Sequence, residues 1–318
     1  MKPVSKPEAH EKYQRLIEAA VATGAVTTAV AHPCDEVSLK GAVEAARLHL
    51  IDPILVGPIA RINDIATRHK IDINGLRTVD ALHSHDSAAK AVELVREGEV
   101  DALMKGSLHT DEIMGAVVAR EGGIRTSRRI SHCFIMDVPG HADALIITDA
   151  AVNIAPTLED KIDIVQNAID LANALKLPQV RVAVLSAMET VNPKVQSSLE
   201  AAALSKMAER GQITGAAVDG PLALDNAISE EAAATKQIVS SVAGRANVLV
   251  VPDLESGNML AKALSFLAGA DSAGIVLGAR VPIILTSRAD SLTARLASCA
   301  VAALITKFRR DMALSKAQ

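Results

Sequence analysis

"VDALMKGSLHT", residues 100–110, begins as an apolar run suited to a strand and then turns into Lys105, Gly106 and Ser107 before a helical stretch opens. A run with so little polar alternation fits a strand covered on both faces, as in parallel sheets flanked by helices. Such sheets bind ligands beyond the carboxyl ends of their strands. A cation, a permissive glycine and a hydroxyl at a helix start are the parts of an anion site. They are equally the parts of a capped helix beside a surface lysine, and the stretch by itself leaves both readings open.

The same pattern repeats outward in both directions. Strands are predicted at 26–32, 53–57, 130–136, 144–148, 180–186, 213–219, 246–252, 273–278 and 281–286. Amphipathic helices lie between them. In 157–175, Ile162, Val165, Ile169 and Ala172 share a face, Thr157 with Asp160 forms a start signal, and Lys176 and Pro178 form a stop. In 291–308, Leu292, Leu296, Cys299 and Ala303 are expected to point inward. Alternating strands and helices predict an α/β fold with a mostly parallel sheet.

Composition narrows the function. Of 318 residues 49% are hydrophobic, and the formal charge of −4 offers no basic excess for nucleic acid or an anionic membrane. Three Phe, one Tyr and no Trp give little surface for base stacking. Cys34, Cys133 and Cys299 are widely spaced, which argues against a disulfide framework and fits a cytoplasmic protein. The polar opening "MKPVSKPEAHEKYQ" has no signal-peptide core, and no apolar run is long enough for a membrane span.

The dinucleotide, P-loop, zincin and nucleophile-elbow signatures are all missing. "HSHD" (83–86) reads as a solvated turn ahead of a helix, since two nearby histidines need distant partners to hold a metal. Polar residues instead gather just after the strands: Lys105 and Ser107; Asp149 and Asn153; Asp219 and Asp225 around a Gly-Pro turn; Gly257-Asn258 at a helix start; and Ser287-Arg288, with Arg280 ahead of that strand. Taken together they favour a small-molecule site. Asp290 or Ser291 is expected to cap the last helix.

Six stretches in this order resemble the phosphate acetyl/butyryltransferase family: "LMKGSLHT" (103–110), "SHCFIM" (131–136), "ITDAAVNIAPT" (147–157), "VDGPLALDNAIS" (218–229), "VPDLESGNMLAKAL" (251–264) and "PIILTSRADS" (282–291). The wording of the last leans to the butyryl branch. The resemblance implies a two-domain isocitrate/isopropylmalate dehydrogenase-like fold with an interdomain cleft. It places domain one at 1–136 plus 279–318 and domain two at 137–278. It further implies a homodimer or higher homo-oligomer. The implied reaction is acyl-CoA + phosphate to acyl phosphate + CoA, by direct transfer in a ternary complex. CoA enters as a substrate, and no metal or permanently bound cofactor is expected.

By the same resemblance Ser287 and Arg288 are catalytic, Arg288 on phosphate and the developing oxyanion, Ser287 on the tetrahedral intermediate. Lys105, Ser107, Asn258 and Arg280 are the expected substrate-binding residues. The acetyl branch has a carboxylate seven residues after the serine, where this chain has Ala294. Asp290 is the nearby carboxylate that could serve as base for the CoA thiol. Where that branch has a helical arginine this chain has Ile113-Met114, with Arg120, Arg125, Arg128 or Arg129 as stand-ins. Two alternatives stay open: a non-catalytic acyl-CoA- or phosphate-binding relative, and a metal- and NAD-dependent hydroxyacid dehydrogenase of similar fold. The second needs a cluster of Asp and a Lys/Tyr pair, and Tyr13 is the one tyrosine.

Overall fold

The computed structural model describes residues 11–286 and 290–316. These form two compact units, one of residues 11–14 and 131–272, the other of 15–130 and 273–316. The boundaries fall at 130/131 and 272/273 rather than the expected 136/137 and 278/279. The reason lies in strand pairing. Strand β5 (Ser131–Asp137) runs antiparallel to β6 (Leu145–Thr148), with Cys133 opposite Thr148, so β5 belongs with β6 and its unit. Residues 11–14 join the same unit because Tyr13 Oη donates to the Ile135 carbonyl at 2.7 Å and Lys12 pairs with Asp137 at 2.8 Å.

The unit containing 15–130 alternates strand and helix: most of α1 (Glu11–Val21), then β1 (Val26–Ala31), α2 (Glu36–Arg47), β2 (Ile51–Gly57), α3 (Ile59–His69), β3 (Arg77–Asp80), α4 (Ser84–Glu97), β4 (Ala102–Lys105) and α5 (Thr110–Val118). Most of β10 (Asp271–Leu277), then β11 (Ile283–Ile284) and α11 (Leu292–Lys316), complete it. Its strands lie in the order β3-β2-β1-β4-β11-β10, parallel except for β10 against β11. The chain moves outward from β1 through β2 to β3, then α4 carries it back to β4 on the other flank of β1. The strand order therefore reverses between β1 and β4.

The other unit holds β5, β6, α6 (Leu158–Ala174), β7 (Arg181–Leu185), α7 (Gln196–Glu209), β8 (Ala217–Leu222), the short α8 (Leu224–Ile228) and α9 (Glu230–Thr235), β9 (Val248–Val250) and α10 (Leu254–Leu267). Its order is β5-β6-β9-β7-β8, parallel except for β5 against β6. With so few aromatics the cores are aliphatic and rich in alanine, as in the cluster of Met136, Leu145, Ile147, Leu185, Ala233, Val242 and Leu249. Small side chains let helices approach the sheet closely, and packing density rather than ring area carries the stability.

Helix starts obey local chemistry. Asp35, Thr157 and Asp253 cap α2, α6 and α10, each accepting a backbone N–H three residues on. Two expectations shift. Leu292 is exposed and Ile162 half-buried, while the buried face of α6 includes Ile164, Val165, Ala168 and Ile169. The Gly-Pro of "VDGPL" lies inside β8 instead of in a turn, tolerated because β8 is an edge strand with no partner beyond it in its unit. No helix among the described residues is long and apolar enough to cross a membrane.

Candidate functional site

The reversal between β1 and β4 is the place where an open parallel sheet leaves a crevice at its carboxyl ends. Both strands end there in polar residues. Lys105, the last residue of β4, is 5% exposed, and its ammonium lies 3.5 Å from the Gly106 carbonyl. Gly106 and Ser107 then bind to the end of β1, through Gly106 N–H to Ala31 O and Ser107 N–H to His32 O, both at 2.9 Å. A Cβ on Gly106 would stand 2.4 Å from Ala31 O and 2.5 Å from His32 O, so only glycine permits this approach.

His32 comes directly after β1 and adopts a left-handed backbone, φ 57°, uncommon for a residue with a side chain. Its carbonyl accepts from Cys34 N–H (2.8 Å), Ser107 N–H and the Ser107 hydroxyl (both 2.9 Å). The imidazole Nδ1 lies 3.0 Å from Ser87 Oγ on α4, and that hydroxyl donates to the His83 carbonyl at 2.8 Å. Burial and then the Arg61 guanidinium hold this histidine below its usual 6.5, against an upward pull from Glu112 and Asp35. The imidazole is therefore neutral at neutral pH. Sequence reading makes His32 the last residue of a strand, and nothing in the local pattern marks it.

A buried guanidinium lies at the start of α11. Ser291 Oγ accepts the Ala294 N–H at 3.1 Å, so Ser291 caps the helix start. Asp290 precedes it and, with Asp35, raises the proton affinity of Arg295 against the burial that lowers it. Arg295 is 3% exposed, donates from Nη1 to Thr286 Oγ1 at 2.8 Å, and lays its stem close to Gly41 of α2. Arg295 is not among the sequence-derived candidates, although a buried arginine in the first turn is visible once Ala297 and Cys299 set the inward face. Ala294 is buried beside it. Ser287 and Arg288 lie outside the described residues.

In the other unit a second polar cluster comes after β6. The buried Asp149 carboxylate accepts N–H groups from Ala151 and Val152 (3.0 Å) and Asn153 (3.2 Å), and the Asn153 amide at 2.6 Å. Asn258 on α10 donates to the Ala150 carbonyl at 3.2 Å, which ties the helix start to this loop. Gly257 permits that, since a Cβ there would reach 2.7 Å from the Val251 side chain. His132 on β5 faces Asp149 electrostatically and is 1% exposed. Its Nδ1 is buried without a hydrogen-bonding partner among the described residues, and burial lowers the imidazole to about 4. Asp219 accepts the Gly220 N–H within β8, and Asp225 pairs with Lys236 at the surface.

Several sequence candidates lie elsewhere. Arg280 is exposed at the opposite end of β11 from Thr286, with its N–H on the Ile124 carbonyl, and so is remote from the Lys105 end of the strands. Arg120, Arg125 and Arg129 are exposed. His83 caps α4 and His85 pairs with Glu112, so "HSHD" is a helix start. Among the described residues no group of three or more His, Cys, Asp or Glu is placed to hold a metal ion. Tyr13, 1% exposed and bonded to a backbone carbonyl, is a core residue and a poor partner for dehydrogenase chemistry.

Comparison with known proteins points the same way. The family model described as "Phosphate acetyl/butaryl transferase" matches residues 83–303. The chain is 64% identical over 304 residues to the phosphate acetyltransferase of Rhizobium meliloti, covering 96% of each. It is 41% identical over 277 residues to the phosphate butyryltransferase of Clostridium acetobutylicum, covering 87% of this chain and 92% of that one. A branched-chain phosphotransacylase from Enterococcus faecalis superposes with a TM-score of 0.76 at 32% identity, covering 88% of this chain and 99% of that one. The chain belongs to the phosphate acetyl/butyryl transferase family.

Proposed function

We propose that the protein transfers a short acyl group between CoA and inorganic phosphate, acyl-CoA + phosphate to acyl phosphate + CoA. The observation that carries this reading is the pair of buried cations, Lys105 and Arg295, in the unit whose β1 and β4 ends form the switch point. Cations withdrawn from water suit a substrate with several negative oxygens, whose charge offsets the cost of their burial. Both substrates are polyanions that must be held with the thioester carbonyl between them.

Lys105 and Ser107 are assigned to substrate oxygens, with Ser287 and Arg288 at the reacting carbonyl as the resemblance implies. Asn258 is assigned to the second polar cluster, where it also fixes the loop. In one direction a phosphate oxygen attacks the thioester carbon, the C–S bond breaks, and the thiolate takes a proton. The reverse step forms the C–S bond and releases phosphate. Acetyl is the favoured acyl group, because the 64% identical relative is a phosphate acetyltransferase and the 41% identical one a phosphate butyryltransferase. The lean of "PIILTSRADS" toward the butyryl branch carries less weight than identity over the whole chain.

The reading includes a cytoplasmic homo-oligomer. The exposed Met259, Phe266 and Leu267 on α10 form an apolar face that a second copy would cover, and light scattering of Phe266→Glu against the parent chain tests it. The activity test is loss of thioester absorbance with acetyl-, butyryl- and longer acyl-CoA, with and without phosphate. Phosphate-dependent CoA release, fastest with acetyl-CoA, is expected; no phosphate-dependent release from any short acyl-CoA would overturn the reading.

A further inference from the structure

The position from which the acetyl branch supplies a carboxylate is the buried Ala294, and Asp290 lies in the field of Arg295. The thiol proton can also pass to a group on another element.

His32 has the required arrangement. The tautomer that satisfies both contacts of Ser87 Oγ places the hydroxyl proton on the His83 carbonyl and the ring proton on His32 Nδ1. This tautomer has its lone pair on Nε2, and Nε2 makes no hydrogen bond among the described residues. The ring is set at the end of β1 by a left-handed backbone and a carbonyl locked to Ser107. A histidine whose Nδ1–H is tied down and whose Nε2 is bare is how proteins orient a general base.

We propose that His32 Nε2 is the proton acceptor for the CoA thiol, with Ser87 as its positioning residue; this rests on the acyltransferase reading above. As sulfur attacks the acyl phosphate carbon, the thiol proton moves to Nε2, the C–S bond forms, and the C–O bond to phosphate breaks. Phosphate leaves and takes the proton back. In the opposite direction the imidazolium protonates the departing thiolate. The charged and titratable groups around the ring are Arg61 from α3, Glu112 from α5, Asp35 at the head of α2 and His83 at the head of α4.

The test is His32→Asn. Asparagine tolerates the left-handed backbone and places an amide near the Nδ1 position, but has nothing equivalent to Nε2. The expected result is a fall in kcat on the order of 10²–10⁴-fold with the KM for CoA and acetyl phosphate little changed. The parent enzyme should lose kcat/KM as pH falls, with a midpoint below 6.5, and this acid limb should vanish in the variant. Ser87→Ala, which frees the tautomer, should lower kcat by a smaller factor. Wild-type kcat in a folded His32→Asn overturns the proposal. So does an acid limb with its midpoint above 6.5 in the parent enzyme, which needs no variant to fold. An inactive parent enzyme would instead sink the acyltransferase reading itself.

Discussion

Arg295 Nη1 donates to Thr286 Oγ1 across 2.8 Å while the arginine side chain is almost wholly withdrawn from solvent. The bond joins the first turn of α11 to the second residue past β11, and Thr286 immediately precedes Ser287 in sequence. One guanidinium thus anchors the chain entering the serine-arginine pair, while Asp290 on the far side of the pair contributes to its charge balance.

Replacing Arg295 with Met keeps the apolar stem and removes the fork. A hydrogen bond to a charged group is worth about 1.5–3 kcal/mol, so kcat/KM for phosphate is expected to fall roughly 10- to 100-fold. Arg295→Lys retains the charge without the planar fork and should recover only part of the loss. Steady-state kinetics with phosphate varied measures both, and equal kcat/KM for all three proteins would refute the anchoring role.

At Gly106 the demand is steric. Gly106→Ala brings a methyl to 2.4 Å from Ala31 O, inside contact distance of a backbone that β2 and β4 hold in place. Destabilisation of about 1–3 kcal/mol is expected, with loss of activity as Lys105 is displaced. Ser107→Ala removes the hydroxyl that donates to His32 O and accepts the Cys34 N–H, at about 1 kcal/mol. Urea melts of the two variants should rank in that order.

How far the fold can be read from the sequence depends on burial. Strands covered on both faces, such as "VDALM" and "ALIIT", announce themselves as apolar runs, and the Thr157–Asp160 capping pair marks α6 to the residue. Strand β3, "RTVD", escapes such a reading because an edge strand is half exposed and carries no apolar run. Strand β8 is placed too early because Gly-Pro reads as a turn unless the strand is known to be at an edge. The site divides in the same way. Lys105 and Ser107 stand out as polar residues breaking an apolar run, whereas His32 and Arg295 owe their roles to partners on α4 and beside β11. No local spacing encodes a partner 55 residues away.

Lys161 on α6 and Glu200 on α7 form an ion pair withdrawn from water, with side chains 6% and 12% exposed. Glu200→Ala leaves the lysine ammonium buried without its carboxylate, at a cost of roughly 3–5 kcal/mol. Replacing both, Lys161→Met with Glu200→Leu, should restore most of that stability, because the desolvation cost disappears along with the attraction. Thermal melts of the single and double variants decide it; equal losses in both would mean the pair contributes only through packing.

His132 gives the fold a defined acid sensitivity. Burial holds its imidazole at about 4 against 6.5 in an exposed chain, with Asp149 opposing the shift. Below pH 6.5 the unfolded chain takes up a proton that the native protein refuses until about pH 4. The stability from this group is therefore complete above pH 6.5 and is lost progressively as pH falls toward 4, amounting to roughly 3 kcal/mol. His132→Leu removes the titration together with a buried Nδ1 that has no partner among the described residues, so at pH 8 the variant should match or slightly exceed the parent. Urea midpoints from pH 8 to 4.5 should show the two curves separating below pH 6.5 in favour of the variant. Parallel curves throughout would mean that His132 binds its proton equally well in the native and the unfolded chain.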